Sequence, residues 1–246
     1  MGATSLPGAA RWFSAGVTDV GLHRAHNEDA LLDRRDIGLW AVADGMGGHE
    51  RGEVASSMLC EGLAALPADL SLADAVDAVE DVVIAVNERL VTLGRSLVGS
   101  GIVGSTLIAL IAREAFAACL WAGDSRLYLL RDGRLRLLSE DHSLQAQMHA
   151  LGEAPDPAVS NVITRAVGAS EQLFLDVDLF ALQPRDRFLL CSDGLSNELD
   201  SAALEQLLAV GDPCESARRL VESARLSGGH DNITALVADY RAGSVA

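Results

Sequence analysis

The chain has 246 residues, 49% of them hydrophobic, and a formal net charge of -16 from 19 basic and 35 acidic side chains. That length and apolar content suit one domain with a sizeable core, residues 1–246 with the core at about 12–241, and the charge opposes nucleic acid and anionic lipid as partners. Every basic residue is arginine, which excludes phosphate-binding-loop NTPases, Schiff-base enzymes and lysine-dependent kinases.

In chain order, the first strand pattern is Gly38 to Ala43, followed by a helix over Gly52 to Leu66. Val76, Val79, Val83, Val86 and Leu90 recur at three and four residues, so Leu72 to Leu93 is expected to be a long amphipathic helix capped by Ser71. Three apolar runs follow, Thr106 to Ala112, Ala115 to Ala122 and Arg126 to Arg131, and Arg131-Asp132-Gly133-Arg134 reads as a tight hairpin turn. Strand patterns return at Arg187 to Cys191 and Ile233 to Tyr240, separated by helices at Ser201 to Val210 and at Pro213 to Leu226, with proline in its opening turn. Helices between runs of hairpin-linked strands, without regular alternation, predict an α+β fold, a four-layer α/β/β/α sandwich of two antiparallel sheets flanked by helices. Trp12, Trp40 and Trp121 lie in or beside strand patterns and read as core.

Five aspartates fall where an apolar segment meets a small-residue turn: Asp29, Asp44, Asp124, Asp193 and Asp231. A single Asp before Gly or Ser is ordinary turn chemistry. Five at strand ends ask for more, because carboxylates converging on one sheet edge lose hydration, repel one another and need compensating positive charge. Oxygen-only ligands favour magnesium or manganese over zinc. Two such ions about 3.5–4 Å apart activate a water for in-line hydrolysis of a phosphate ester, with no protein nucleophile. Consistently, the chain has neither a G-x-S-x-G elbow nor an H-E-x-x-H pair. Arg24 stands just before Asn27-Glu28-Asp29, where it could clamp a substrate phosphate; alone, it reads more simply as a surface arginine.

These residues resemble the type 2C metal-dependent protein serine/threonine phosphatases, the PPM family, over nearly the whole chain. The matching blocks are Arg24 to Asp29, Asp44 to His49, Gly104-Ser105-Thr106, Gly123 to Arg126, Asp141-His142-Ser143, Thr164 to Gly168, Ser192-Asp193-Gly194 and Gly228 to Thr234. The resemblance implies that Asp44 is shared by two cations, that Asp193 and Asp231 complete the first site, and that the Gly45 carbonyl serves the second with Glu28 and Asp29 helping directly or through water. It further implies a weaker third ion at Asp124 and Asp193, phosphate binding by Arg24, and a supporting position for Asn232 behind the ligands. Eukaryotic members carry a histidine two residues after the shared aspartate, but Met46 stands there. The general acid must then be metal-bound water or another group, with His49 placed either as that group or as a structural turn residue. His142 and His230 read as loop-orienting hydrogen-bonding residues. Residues 145–161 fall where members carry a flap beside the active site; an ordinary surface loop after a short helix fits the same residues.

The expected activity is hydrolysis of phosphoserine and phosphothreonine in proteins, the partners being phosphorylated proteins that include a serine/threonine kinase or its substrates. A catalytically weak phosphoprotein-binding regulator of the same fold is the alternative, and it would show lost metal ligands; none of the principal aspartates is missing. The four cysteines are widely spaced without a C-x-x-C pair, and none precedes an arginine by six residues, as a cysteine-nucleophile phosphatase requires. Free thiols and no signal peptide point to the cytoplasm. No apolar run nears the ~20 residues of a membrane span, so no membrane anchor is expected within the chain, and the protein is expected to be a monomer. The acidic surface is expected to disfavour acidic phosphosites weakly.

Overall fold

The computed structural model describes residues 11–47, 51–96, 101–154, 159 and 162–241. Two antiparallel sheets face each other. The first runs β1 (Arg11–Asp19), β11 (Ile233–Arg241), β10 (Arg187–Cys191), β7 (Arg126–Arg131) and β8 (Arg134–Leu137). The second runs β2 (Asp29–Arg34), β3 (Leu39–Met46), β5 (Leu107–Arg113), β6 (Phe116–Ala122) and β9 (Asp176–Ala181), with the short β4 (Gly104–Ser105) on β3. Helices α1 (Arg51–Ala64) and α2 (Leu72–Ser96) cover the second sheet. The first is covered by α5 (Ser201–Leu208) and α6 (Pro213–Ser227), while α3 (Leu144–Ala150) and α4 (Asp193–Ser196) sit at the connections. This is the expected α/β/β/α sandwich.

Central strands are buried on both faces, which is why they read as unbroken apolar runs. On β3, Trp40 and Val42 enter the core between the sheets, where they meet Ile108, Phe188 and Leu236. Its Leu39, Ala41 and Ala43 enter the core beneath α1 and α2, with Leu59, Val83 and Leu90. Trp12 packs on Trp40 with ring centroids 4.6 Å apart, and Trp121 is buried, so the tryptophans are core as expected.

The four edge strands are the ones the apolar pattern under-reports. β1, β2 and β9 interleave charged and hydroxyl residues with apolar ones, and β8 is signalled only by the hairpin turn before it. That turn has φ of 52° at Asp132 and 73° at Gly133, the all-positive pair of a type I′ hairpin. Ser71 does cap α2: the Asp74 N–H donates to its hydroxyl at 3.2 Å, and the hydroxyl donates to the Asp74 carboxylate at 2.6 Å. Asp212 caps α6 by accepting from the Glu215 N–H, with Pro213 next in line.

The strand directions bring four motif aspartates to one end of the sandwich. Asp44 lies near the end of β3, Asp124 just before β7, Asp193 just after β10, and Asp231 two residues before β11.

Candidate active site

A cleft of about 400 Å³ opens at that end, and Arg24, Glu28, Asp44, Asp124, Asp193 and Asp231 all line it. Asp44 is held through its backbone: its N–H donates to the Thr106 hydroxyl at 3.0 Å, and its carbonyl accepts from the Thr106 N–H and the Ser105 hydroxyl. The Thr106 hydroxyl bonds that of Ser125, 2.7 Å away, tying the turn that carries Asp124 to β3. Asp193 opens α4, where one carboxylate oxygen accepts from the Asn197 side-chain amide at 3.1 Å. The Asp231 carboxylate accepts from the Arg24 guanidinium at 2.6 Å and from the Asn232 N–H at 2.8 Å.

Asp29 lies opposite Asp44 in the β2–β3 register, and its side chain is buried between the sheets. One of its oxygens accepts from the Ser192 and Thr234 hydroxyls at 2.8 and 2.6 Å. The other is buried without a partner. Asn232 is a clamp on the loop before β2: its amide donates to the Val20 and His26 carbonyls, and its oxygen accepts from the Glu28 N–H. The Glu28 carboxylate accepts from the Gly52 N–H, and its carbonyl accepts from the Gly45 N–H and the Ser56 hydroxyl. Gly45 and Gly52 pass so closely that a Cβ on Gly45 would lie 2.2 Å from the Gly52 carbonyl oxygen.

Charge repulsion shows in the proton affinities. Burial pushes Asp29 and Asp124 up to about 7, reinforced at both by the nearby Asp193. Asp44 rises well above the ordinary carboxylate range, first through burial and then through Asp29, Asp193, Asp124 and Asp231. Asp193 is raised by burial and by Asp231. Buried carboxylates that repel one another, with one oxygen of Asp29 orphaned and only oxygen donors to offer, fit hard divalent cations. With Arg24 on Asp231 and Asn197 on Asp193, no three acidic, imidazole or thiolate groups among the described residues already converge as a closed metal shell.

His142 and His230 make the hydrogen bonds expected of them. His142 accepts from the Gly123 N–H at Nδ1 and pairs with Asp176 at Nε2, stacked beside Trp121, and burial draws its pKa below the ordinary value. His230 is held by Glu198 and stacks on His23. Met46 lines the cleft. His49 lies outside the described residues, as do 155–158 and 160–161 of the 145–161 segment, whose first residues belong to α3. The hydroxyls of Thr106, Ser125, Ser192 and Thr234 were not singled out by sequence reasoning. Their signal in the sequence is that each falls inside one of the blocks resembling the family: Gly104-Ser105-Thr106, Gly123 to Arg126, Ser192-Asp193-Gly194 and Gly228 to Thr234.

Comparison with known proteins agrees with this geometry. The profile of the family described as Protein phosphatase 2C matches residues 23–226. The sandwich, the carboxylate cleft and that match define a metal-dependent phosphoprotein phosphatase, and the chain belongs to the protein phosphatase 2C family. Serine/threonine phosphatase stp of Listeria innocua is 34% identical over 235 residues, covering 90% of this chain and 93% of that protein. Serine/threonine protein phosphatase PstP of Mycobacterium tuberculosis is 37% identical over 90% of this chain, which spans 44% of that protein's length. The solved structure described as PppA, a key regulatory component of T6SS in Pseudomonas aeruginosa, superposes with a TM-score of 0.88 at 44% identity, covering 95% of this chain and 100% of the other. A structure of the PstP catalytic domain in complex with two manganese ions superposes with a TM-score of 0.82 at 34% identity, covering 95% of this chain and 100% of that one. The protein is thus a serine/threonine phosphatase with phosphoprotein substrates, and the non-catalytic reading is not favoured.

Proposed function

We propose that the cleft hydrolyses phosphoserine and phosphothreonine esters with two divalent cations, manganese or magnesium, shared at Asp44. Asp44, Asp193 and Asp231 would hold one. The Gly45 carbonyl would join Asp44 on the other, with Glu28 and Asp29 behind it, and a weaker third ion would use Asp124 and Asp193. The observation that carries this reading is the arrival of four aspartates from four strand ends in one cleft, where burial and the charge of their neighbours raise the proton affinity of Asp44, Asp124 and Asp193. When bound, such cations polarise a phosphoryl oxygen and lower the pKa of a water for in-line attack.

The chain's own groups bind and orient. Arg24, half-exposed at the cleft mouth, can turn from Asp231 to present parallel N–H donors to a substrate phosphate. Asn232 fixes the loop that brings Arg24 and Glu28 to the cleft. Met46 offers no proton, so protonation of the leaving alkoxide falls to water or another group.

The setting we infer is a cytoplasmic monomer, a single catalytic domain that reverses the action of a serine/threonine kinase on its substrates or on the kinase itself. Three buried free cysteines agree with a reducing compartment, and no helix among the described residues is long and apolar enough to cross a membrane. The 44% identity to PppA supports a circuit tied to type VI secretion.

The test is hydrolysis of a phosphothreonine peptide with manganese, with chelator, and by folded Asp44→Ala and Asp193→Ala variants. Metal-dependent turnover lost in both variants supports the proposal. A well-folded wild type that hydrolyses no phosphopeptide with any divalent metal would sink it.

A further inference from the structure

The pole of the first sheet opposite the catalytic cleft carries a second, larger cavity of about 790 Å³, between the β7–β8 turn, the β9–β10 turn and the end of α5. The nine residues of β11 separate the two poles by about 27 Å. Every strand of this sheet ends here in arginine: Arg11 on β1, Arg241 on β11, Arg185 and Arg187 at β10, Arg131 on β7 and Arg134 on β8. Two of them are spoken for. Arg131 donates to Asp186 at 2.6 and 2.7 Å, and Arg187 donates to Asp239 and to the Leu208 and Gly211 carbonyls.

Arg11, Arg134, Arg185 and Arg241 have no carboxylate partner among the described residues. Arg241 lies over the Phe13 ring, directly across from Arg11 in the strand register. Like charges set opposite each other on neighbouring strands are unfavourable unless an anion relieves them. The carboxylates lining the cavity are Asp186 and Asp239, both paired with arginine, and the exposed Asp132. Around it, Glu215 lies against Gly211 and is paired with Arg219, Glu205 accepts from the Leu135 N–H, and Glu114 is exposed at the neighbouring β5–β6 turn.

A separate observation concerns Arg185 itself. The Asp186 N–H donates to the Gln183 carbonyl, Pro184 takes the second position, and Arg185 takes the third with φ of 77°. This is a type II turn, whose third position favours glycine. The chain keeps an arginine in left-handed backbone, with its side chain exposed on the rim of the cavity.

We propose that this cleft docks a short acidic segment of a partner protein, with Arg185 and Arg241 as its charged contacts. A short segment is favoured over a membrane or a nucleic acid because the patch is local. An extended polyanion would reach beyond a Debye length of ~10 Å onto the surface of a protein whose net charge is -16. The acidic surface thus carries one site of opposite preference, remote from the reacting phosphate. The inference does not rest on the catalytic reading, since binding is scored without turnover.

The experiment measures fluorescence anisotropy of a labelled ten-residue glutamate-rich peptide on wild type, Arg185→Gly, Arg185→Gly with Arg241→Gln, and Asp44→Ala. Saturable binding weakened roughly tenfold by Arg185→Gly, further by the double change and not by Asp44→Ala, is expected. Because glycine suits this turn, Arg185→Gly should melt no lower than wild type and should hydrolyse p-nitrophenyl phosphate at the wild-type rate. Binding unchanged in Arg185→Gly, no saturable binding, or binding to phosphatidylserine vesicles but not to the peptide overturns the proposal.

Discussion

Stripped of metal, this protein should become more stable as the solution is acidified from pH 7.5 to 5.5. Asp29 and Asp124 titrate at about 7 in the folded protein, against 3.8 as the ordinary value. Between those two pH values the folded state binds more protons than the unfolded chain, so stability rises as pH falls through the window. A shift of about three units corresponds to ~4 kcal/mol for one isolated group. Because the carboxylates are neighbours, the pair together is worth several kcal/mol rather than twice that figure. About half of the window lies between pH 7.5 and 5.5, so the gain there is about 2 kcal/mol, or about 5 °C in Tm for a chain of this size. His142 opposes it: burial holds its folded pKa low, so its contribution is lost as pH falls through the ordinary histidine range. Asp36, Asp176 and Glu198 have lowered values and cost stability only at more acidic pH. Thermal melts of chelator-treated protein across this range, beside Asp124→Asn, make the assay. The variant should melt higher than wild type at pH 7.5 and show a shallower slope. Saturating manganese should reverse the slope, because protons then compete with the cation. A metal-free Tm that is flat or falls on acidification, with Asp124→Asn no more stable than wild type at pH 7.5, would refute the claim that burial and mutual repulsion strain these carboxylates.

Other perturbations follow from single contacts. Arg24→Ala should lower kcat/KM for a phosphopeptide by about 10- to 100-fold, the range of a lost charged hydrogen bond, while Tm changes little because Arg24 is half-exposed. Unchanged kinetics would return Arg24 to an ordinary surface residue. Asp186→Asn removes the charge that neutralises Arg131 from a fully buried position and should cost about 3–5 kcal/mol in urea denaturation. Asn232→Ala leaves the Glu28 N–H and the Val20 and His26 carbonyls without their partner. It should cost about 2–4 kcal/mol and lower kcat as the loop bearing Arg24 and Glu28 loosens, with melts and peptide hydrolysis as the readouts.

The sequence by itself determined the layers and the chemistry. Strands buried on both faces, such as β3, β5 and β10, are unbroken apolar runs, and α2 repeats its valines at helical spacing, so these elements follow from local pattern. The aspartates were legible because each interrupts such a run at a turn, with Asp44 and Asp193 followed by glycine. The edge strands β1, β2 and β9 were not, since a strand with an open side mixes polar and apolar residues and gains its identity from the neighbour it pairs with. Only the tertiary structure decided which carboxylates share a cleft, that one Asp29 oxygen bridges Ser192 and Thr234 while the other lacks a partner, and that Asn232 clamps a loop more than 200 residues away in sequence. It alone decided, too, that arginines scattered from position 11 to position 241 end on one pole. Side-chain identity fixes what a residue can bond, but burial and neighbours separated along the chain fix what it does bond.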